Sequence, residues 1–239
     1  MPVFRTRTPG TGMKRPGQRG SLISIIAWSN KRREPVRQVN FRDLRARLFF
    51  RLARNVKAPE TIKTHRLLLR KPESEDAADI FERYASDAEV TRFLAWPMHT
   101  SIDDTRAFLE FSDAEWDRWP AGPYLICSRA DGNLLGSTGL AFEVSFRATT
   151  GYVLARDSWG QGFATEALLA MRQTAADLGV ERLYAMCHPE HWPSRHVLEK
   201  GGFEFEGTLR RFSEFPNLSP GIAQNVVCYA WIAGGDPQQ

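Results

Sequence analysis

Residues 151–166, Gly-Tyr-Val-Leu-Ala-Arg-Asp-Ser-Trp-Gly-Gln-Gly-Phe-Ala-Thr-Glu, constrain the fold of this 239-residue chain more than any other stretch. An apolar run at 151–155 reads as a strand. It breaks at Arg156-Asp157-Ser158 into a glycine pair, Gly160 and Gly162, and passes straight into a helical pattern at 164–178. A strand that turns into a helix through glycines makes an anion site. The first amides of a helix lack internal acceptors and carry the positive end of its dipole. Glycine reaches φ > 0 and lets backbone approach a phosphate with no Cβ in the way. The stretch predicts an α/β domain with a phosphorylated ligand, against the plainer reading of a glycine turn such as any α/β domain contains.

Two common phosphate loops are excluded. The dinucleotide fingerprint needs a third small residue where Thr165 stands. No G-x-x-x-x-G-K-[ST] occurs anywhere in the chain.

The segment resembles the acyl-CoA pyrophosphate loop of the GNAT superfamily of N-acetyltransferases, (Gln or Arg)-x-x-Gly-x-(Gly or Ala). The register runs from Trp159 to Ala164, with Trp159 where Gln or Arg is usual. The aromatic-Gly-x-Gly-aromatic-Ala-Thr-Glu-Ala form is the habit of the Rim-type branch, named for ribosomal-protein N-terminal acetyltransferases. Residues 191–210 resemble the family's second motif, Asn-x-x-Ser-x-x-Val-Leu-Glu-Lys-x-Gly-Phe-x-x-Glu-Gly-x-x-Arg. They match it at Ser194, Val197, Leu198, Glu199, Lys200, Gly202, Phe203, Glu206, Gly207 and Arg210, with His191 at the Asn position. Physically this is a short helix opened by a polar cap, closed by Gly201-Gly202 and followed by a strand. The resemblance spans about residues 61–233.

The resemblance implies an α/β (α+β) GNAT fold. Its central mixed, mostly antiparallel sheet has about seven strands and four or so flanking helices, and strands four and five splay apart. It implies acetyl-CoA as co-substrate. The pantetheine would pair with the backbone of Val153, Leu154 and Ala155. The pyrophosphate would lie on Trp159, Gly160, Gln161, Gly162, Phe163, Ala164 and Thr165, and His191 would take over the Asn contact to the pantetheine arm. Many relatives protonate the leaving thiolate with a Tyr where Leu198 stands, whereas the Rim-type branch offers Ser194. The plainer reading of Ser194 is a helix N-cap. Some relatives carry a basic Glu where Thr149 stands; Glu143 is the nearest substitute, and Glu206 with Arg210 reads as a structural pair. His188, His191 and His196 invite a metal reading, but no cysteine or carboxylate lies at ligand spacing, so no metal is expected. Trp116, Trp119, Trp159 and Trp192 read as core or pocket walls.

Acetyl transfer needs a neutral amine, a stabilised oxyanion and a proton for the departing thiolate, all in one ternary complex. The expected activity is acetyl-CoA-dependent transfer to a primary amine, on a protein N-terminus or a small molecule. The alternative is a catalytically silent acyl-CoA-binding sensor or scaffold of the same fold.

Charge divides the chain. Residues 1–58 hold fifteen Lys/Arg against Glu34 and Asp43, a net +13; the whole is +4, so residues 59–239 carry −9. The expectation is a basic, low-order extension over 1–58, read as a leader or an arm with an amphipathic helix at 40–55, and a catalytic domain over 59–239. The acidic domain favours a cationic acceptor over nucleic acid, although the arm could touch nucleic acid or ribosome. Cys127, Cys187 and Cys228 are far apart without Cys-x-x-Cys, which predicts buried reduced thiols in a cytoplasmic enzyme, monomeric or homodimeric. No apolar run is long enough to span a membrane.

Strands are expected at 66–71, 124–129, 134–142, 150–156, 182–188, 203–210 and 225–232. Helices are expected from Ser74 to 85, around 87–94, from Ser101 to about 119, over 164–178 and over 191–200. A hairpin is expected at Asp131-Gly132-Asn133, and a loop at 216–220.

Overall fold

In the computed structural model of the protein the described residues are 56–235. The readings for residues 1–55, the low-order arm and the helix at 40–55, lie outside them.

Strands β1 (Thr61–Lys63), β2 (Leu67–Arg70), β3 (Pro123–Ser128), β4 (Leu134–Val144) and β5 (Arg147–Leu154) are sheet neighbours in chain order, all antiparallel. The β3–β4 hairpin turns at Asp131-Gly132-Asn133 as expected, with the Asp131 carboxylate accepting from the Asn133 amide at 3.2 Å. Next come β6 (Arg182–Cys187), β8 (Ala223–Ile232) and the edge strand β7 (Glu204–Glu214), giving the order β1-β2-β3-β4-β5-β6-β8-β7. Only β5–β6 is parallel. The sheet has eight strands where about seven were expected: the short β1 lies outside the Leu-rich strand.

Helices cover both faces. On one face lie α4 (Phe163–Asp177) and α5 (Trp192–Lys200), packed on a core that includes Leu67, Tyr124, Ile126, Leu154, Leu183 and Tyr229. The other face carries α1 (residues 74–85), α2 (Ala88–Thr91) and α3 (Ile102–Arg118) over a second core with Ile80, Tyr84, Leu125, Cys127, Val153 and Ala155. The two sets follow the strand alternation: Leu154 faces α4 and Val153 faces α1.

The α1 run changes pitch twice, from a 3₁₀ turn (Ser74–Asp76) through an α turn (Ala77–Ile80) to a π turn (Phe81–Ala85). The Ser86 amide reaches back five residues to the Phe81 carbonyl at 3.1 Å, closing the wide turn. The expected Ser74 cap is corrected. Glu73 is the N-cap, its amide donates to Asp76 at 2.8 Å, and Arg70 of β2 grips the same carboxylate with both terminal nitrogens. By contrast α3 starts as read, the Ser101 hydroxyl accepting from the Asp103 amide and Asp104 reaching back to the Ser101 amide.

Residues 57 and 58, just ahead of the expected boundary at 59, pack on the domain. Ala58 is buried, its amide donates to the Pro120 carbonyl at 2.8 Å, and Lys57 Nζ donates to the Trp116 carbonyl at 2.8 Å.

Candidate active site

The strand-to-helix turn has the geometry its glycines require. Gly160 (φ 72°) and Gly162 (φ 80°) are both left-handed, and Gly162 is the N-cap of α4. The Glu166 amide closes the first turn onto the Gly162 carbonyl at 3.1 Å, which leaves the amides of Phe163, Ala164 and Thr165 aimed out of the helix. A Cβ on Gly160 would meet nothing within 4 Å, so the space above the turn is open to a ligand. A bound pyrophosphate would rest on these amides, and the residues present fit it.

Arg66 braces the turn from β2's approach. Its Nη1 donates to the Gln161 carbonyl at 2.8 Å, its Nε to Glu166 at 2.8 Å, and its guanidinium lies 4.6 Å from the Phe163 ring centroid. Glu166 also takes the Thr64 hydroxyl (2.6 Å) and the Arg66 amide (2.7 Å). Burial alone would raise the Glu166 carboxyl, but these donors outweigh it and hold it below the ordinary value. Sequence reading missed Arg66. Its partner Glu166 was in the quoted motif, but 100 residues separate them.

Trp159, where Gln or Arg is usual, is engaged within the turn. Its indole donates to the Leu154 carbonyl at 2.8 Å, pinning the end of β5 to the turn.

Strands β5 and β6 pair only at Arg147, Ala148 and Thr149 with Arg182, Leu183 and Tyr184. Beyond this the sheet is parted, at the expected place. Of the three residues named for pantetheine contact, Ala155 gives its amide to Leu135 of β4 at 2.8 Å, and Leu154 lends its carbonyl to Trp159. By the alternation of an antiparallel pair, Val153 also turns its backbone toward β4. The groups left facing the gap are those of Tyr152 and the Leu154 amide, so of the three named residues only Leu154 faces it.

Ser194 is not a cap. The N-cap of α5 is His191, and Ser194 lies one turn in, its amide on the His191 carbonyl at 3.1 Å. Its hydroxyl is 3.0 Å from the Tyr152 hydroxyl, which also donates to the Ser194 carbonyl at 3.0 Å. Burial pushes the Tyr152 phenol well above its usual range, so it stays protonated. The Gly-Tyr of this strand was noted in the sequence, but nothing there showed Tyr152 meeting Ser194.

The His191 ring stacks on Phe93 at 4.9 Å, and Phe93 meets His188 on a similar tilt at 5.1 Å. Burial, reinforced by His188, lowers the His191 imidazole to about 4, so it is neutral at pH 7. His196 is exposed on α5, apart from this stack. Among the described residues no group of three or more His, Cys, Asp or Glu could hold a metal ion.

Glu143, the nearest substitute for the relatives' base, is engaged. Glu143 accepts from the Tyr184 hydroxyl and from Arg147 Nε at 2.6 Å; Thr149 offers only a buried hydroxyl without a partner. Glu206 pairs with Arg182, not Arg210. Trp116 is core, its indole on the Pro123 carbonyl at 2.8 Å, and Trp119 packs at the core's edge; Trp159 and Trp192 are exposed, contrary to expectation. The three cysteines are free and buried, and burial raises Cys187 to about 11.

One pocket runs through the gap. On the α5 side it is lined by Tyr152, Cys187, Ser194 and Leu198, and on the α1–α3 side by Ile80, Tyr84, Phe93, Trp96, Phe108 and Phe111. A passage through a sheet, beside an anion site, is what acyl transfer from coenzyme A requires: the thioester arm enters on one face and its acceptor on the other. Residues 66–204 match the family model described as acetyltransferase (GNAT) domain, and the chain belongs to that family.

The uncharacterized N-acetyltransferase p20 of Bacillus licheniformis is 32% identical over 158 residues, covering 65% of this chain and 88% of p20. The GNAT-family acetyltransferase of Bacillus anthracis has a similar structure (TM-score 0.63, 25% identity, 72% of this chain and 98% of that one). So does apo RimL, a ribosomal L7/L12 alpha-N-protein acetyltransferase (TM-score 0.65, 25% identity, 72% of this chain and 94% of that one). Proteins of this fold have been solved with coenzyme A and with acetyl-CoA bound. The chain is thus an N-acetyltransferase, of a family whose reaction is acetyl transfer from acetyl-CoA. No helix among the described residues is long and apolar enough to cross a membrane.

Proposed function

We propose that this chain moves the acetyl group of acetyl-CoA to a primary amine by direct attack in a ternary complex. The observation that carries the reading is the single pocket through the β5–β6 gap, which joins Ser194 and Tyr152 to a chamber on the opposite face. Bound acetyl-CoA would supply the activated acyl group. The amides of Gly160 to Thr165 would hold its pyrophosphate, the backbone of Tyr152 and Leu154 its pantetheine, and His191 would border the arm.

Ser194 is the proposed acid: its hydroxyl passes a proton to the departing thiolate and is restored by the proton that the attacking amine loses. Tyr152 is the positioning residue that fixes that hydroxyl's rotamer. No carboxylate lines the pocket. Its apolar walls favour the uncharged amine by desolvation, and the neutral His191 imidazole offers a lone pair at the wall. The likeness to RimL supports a protein N-terminus as one kind of acceptor.

The test is release of the CoA thiol from acetyl-CoA with a panel of amines and peptides. Turnover with any of them supports an enzyme; binding of CoA without turnover by any supports the silent sensor instead.

A further inference from the structure

The far end of the pocket has a chemistry of its own. Its walls are ring faces and aliphatic groups from α1, the segment after α2, and α3, and no Asp, Glu, Lys or Arg lines it. The acidic surplus of the domain therefore does not reach the place where an acceptor would sit. A polyamine would bring several ammonium groups into a chamber with nothing to neutralise them, and burying unpaired charge is costly. Flat apolar groups meet the opposite reception, since aromatic rings stack or pack edge-on at such walls.

Ser137, Thr138, Thr150 and His99 also line the pocket, and one polar group among its walls is poorly served. Tyr84, on the π turn of α1, is only 2% exposed and lines the pocket, and its hydroxyl lies beside Ser137 of β4 without a well-formed hydrogen bond. Buried hydroxyls are seldom left so, and the missing partner is one that a ligand can supply.

We propose that the acceptor carries its amine on an aromatic or other large apolar group, seated between Phe93, Trp96, Phe108 and Phe111 with Tyr84 as its hydrogen-bonding contact. This rests on the acetyl-transfer reading and names the substrate class of that same site. A small arylalkylamine and a protein N-terminus that begins with a large apolar residue share this chemistry.

The experiment compares kcat/KM, with acetyl-CoA, for tyramine, tryptamine, phenethylamine, spermidine, and short peptides beginning with Tyr, Leu or Ser. The apolar members should exceed spermidine and the Ser peptide by about tenfold or more, the scale on which apolar pockets discriminate. If the Tyr and Leu peptides lead, the source is a protein N-terminus; if the free amines lead, it is a small molecule. Tyr84→Phe should lower kcat/KM for tyramine more than for phenethylamine. Phe111→Ala should raise KM for the aromatic amines severalfold, with melting curves showing that the variant is folded.

A flat panel, or a preference for spermidine or the Ser peptide, overturns the proposal while leaving acetyl transfer intact. So does a preference for octanoyl-CoA over acetyl-CoA that Phe111→Ala abolishes, because the chamber would then hold the acyl chain. Should no amine turn over, the catalytic reading fails, and calorimetry on the protein with CoA decides the chamber separately. Tryptamine binding that exceeds spermidine binding and weakens in Phe111→Ala upholds its aromatic selectivity, and equal binding refutes it.

Discussion

Ser194 lies one turn inside α5 with its hydroxyl on Tyr152, so replacing it separates chemistry from stability. Ser194→Ala removes no cap; it should cost about 1 kcal/mol, the usual worth of one hydrogen bond. Loss of a general acid should cut kcat roughly 10²-fold with CoA affinity little changed. Rapid-quench turnover with calorimetry on the same variant measures both, and unimpaired kcat would remove Ser194 from the chemistry. Tyr152→Phe should lower kcat less and shift the pH profile of kcat, which a merely structural hydroxyl would not do. At the glycine turn before α4, Gly162 stands at φ 80°. Gly162→Val there meets a left-handed strain of roughly 1–2 kcal/mol and places a branched side chain among the α4 amides. CoA affinity measured by calorimetry should collapse in a chain that still folds.

At the scale of elements, the legible parts were those with a strong local signature. The β3–β4 hairpin announced itself through Asp131-Gly132-Asn133, α3 through Ser101 and Asp104, and the strand-to-helix turn before α4 through its two glycines. The missed parts depend on distant partners. Strand β1 is only Thr-Ile-Lys, too short to show alternation, and exists because β2 offers it an edge. Glu73 rather than Ser74 caps α1 because Asp76 is drawn to Arg70. Arg66 holds the glycine turn from far away in the chain. The cap at α5 also makes a pH prediction. His191 titrates near its ordinary 6.5 in the unfolded chain and about 4 in the fold, so between these values the unfolded state binds more protons. The contribution of His191 to stability is complete above pH 6.5 and is lost as pH falls through 4. Chemical denaturation at pH 7.5 and 4.5 should show this loss, and His191→Asn should flatten it.

At the scale of the molecule, acetyl-CoA should stabilise the fold by RT ln(1 + [L]/Kd), about 2.7 kcal/mol at a hundredfold excess over Kd. A thermal-shift titration that stays flat at millimolar acetyl-CoA would count against the cofactor site. The same assay tests where the domain begins. A chain cut at Pro59 loses the Ala58–Pro120 and Lys57–Trp116 bonds and should melt lower than one cut at Val56, with both retaining CoA binding. The basic arm as a separable unit is our expectation, and this pair of chains examines it without assuming what the arm does.

The parting of β5 from β6 has a consequence for kinetic order. The glycine turn proposed for the pyrophosphate lies at the head of α4, on one face of the sheet, and the aromatic chamber lies under α1–α3 on the other. Two reactants that meet only inside the passage do not compete for a common surface. Initial-rate plots should therefore intersect rather than run parallel. Free CoA should inhibit competitively against acetyl-CoA but not against the amine, and the acetylated product should show the reverse. A ping-pong pattern would mean that the acetyl group pauses on the protein, and the two-faced sheet gives it no reason to do so.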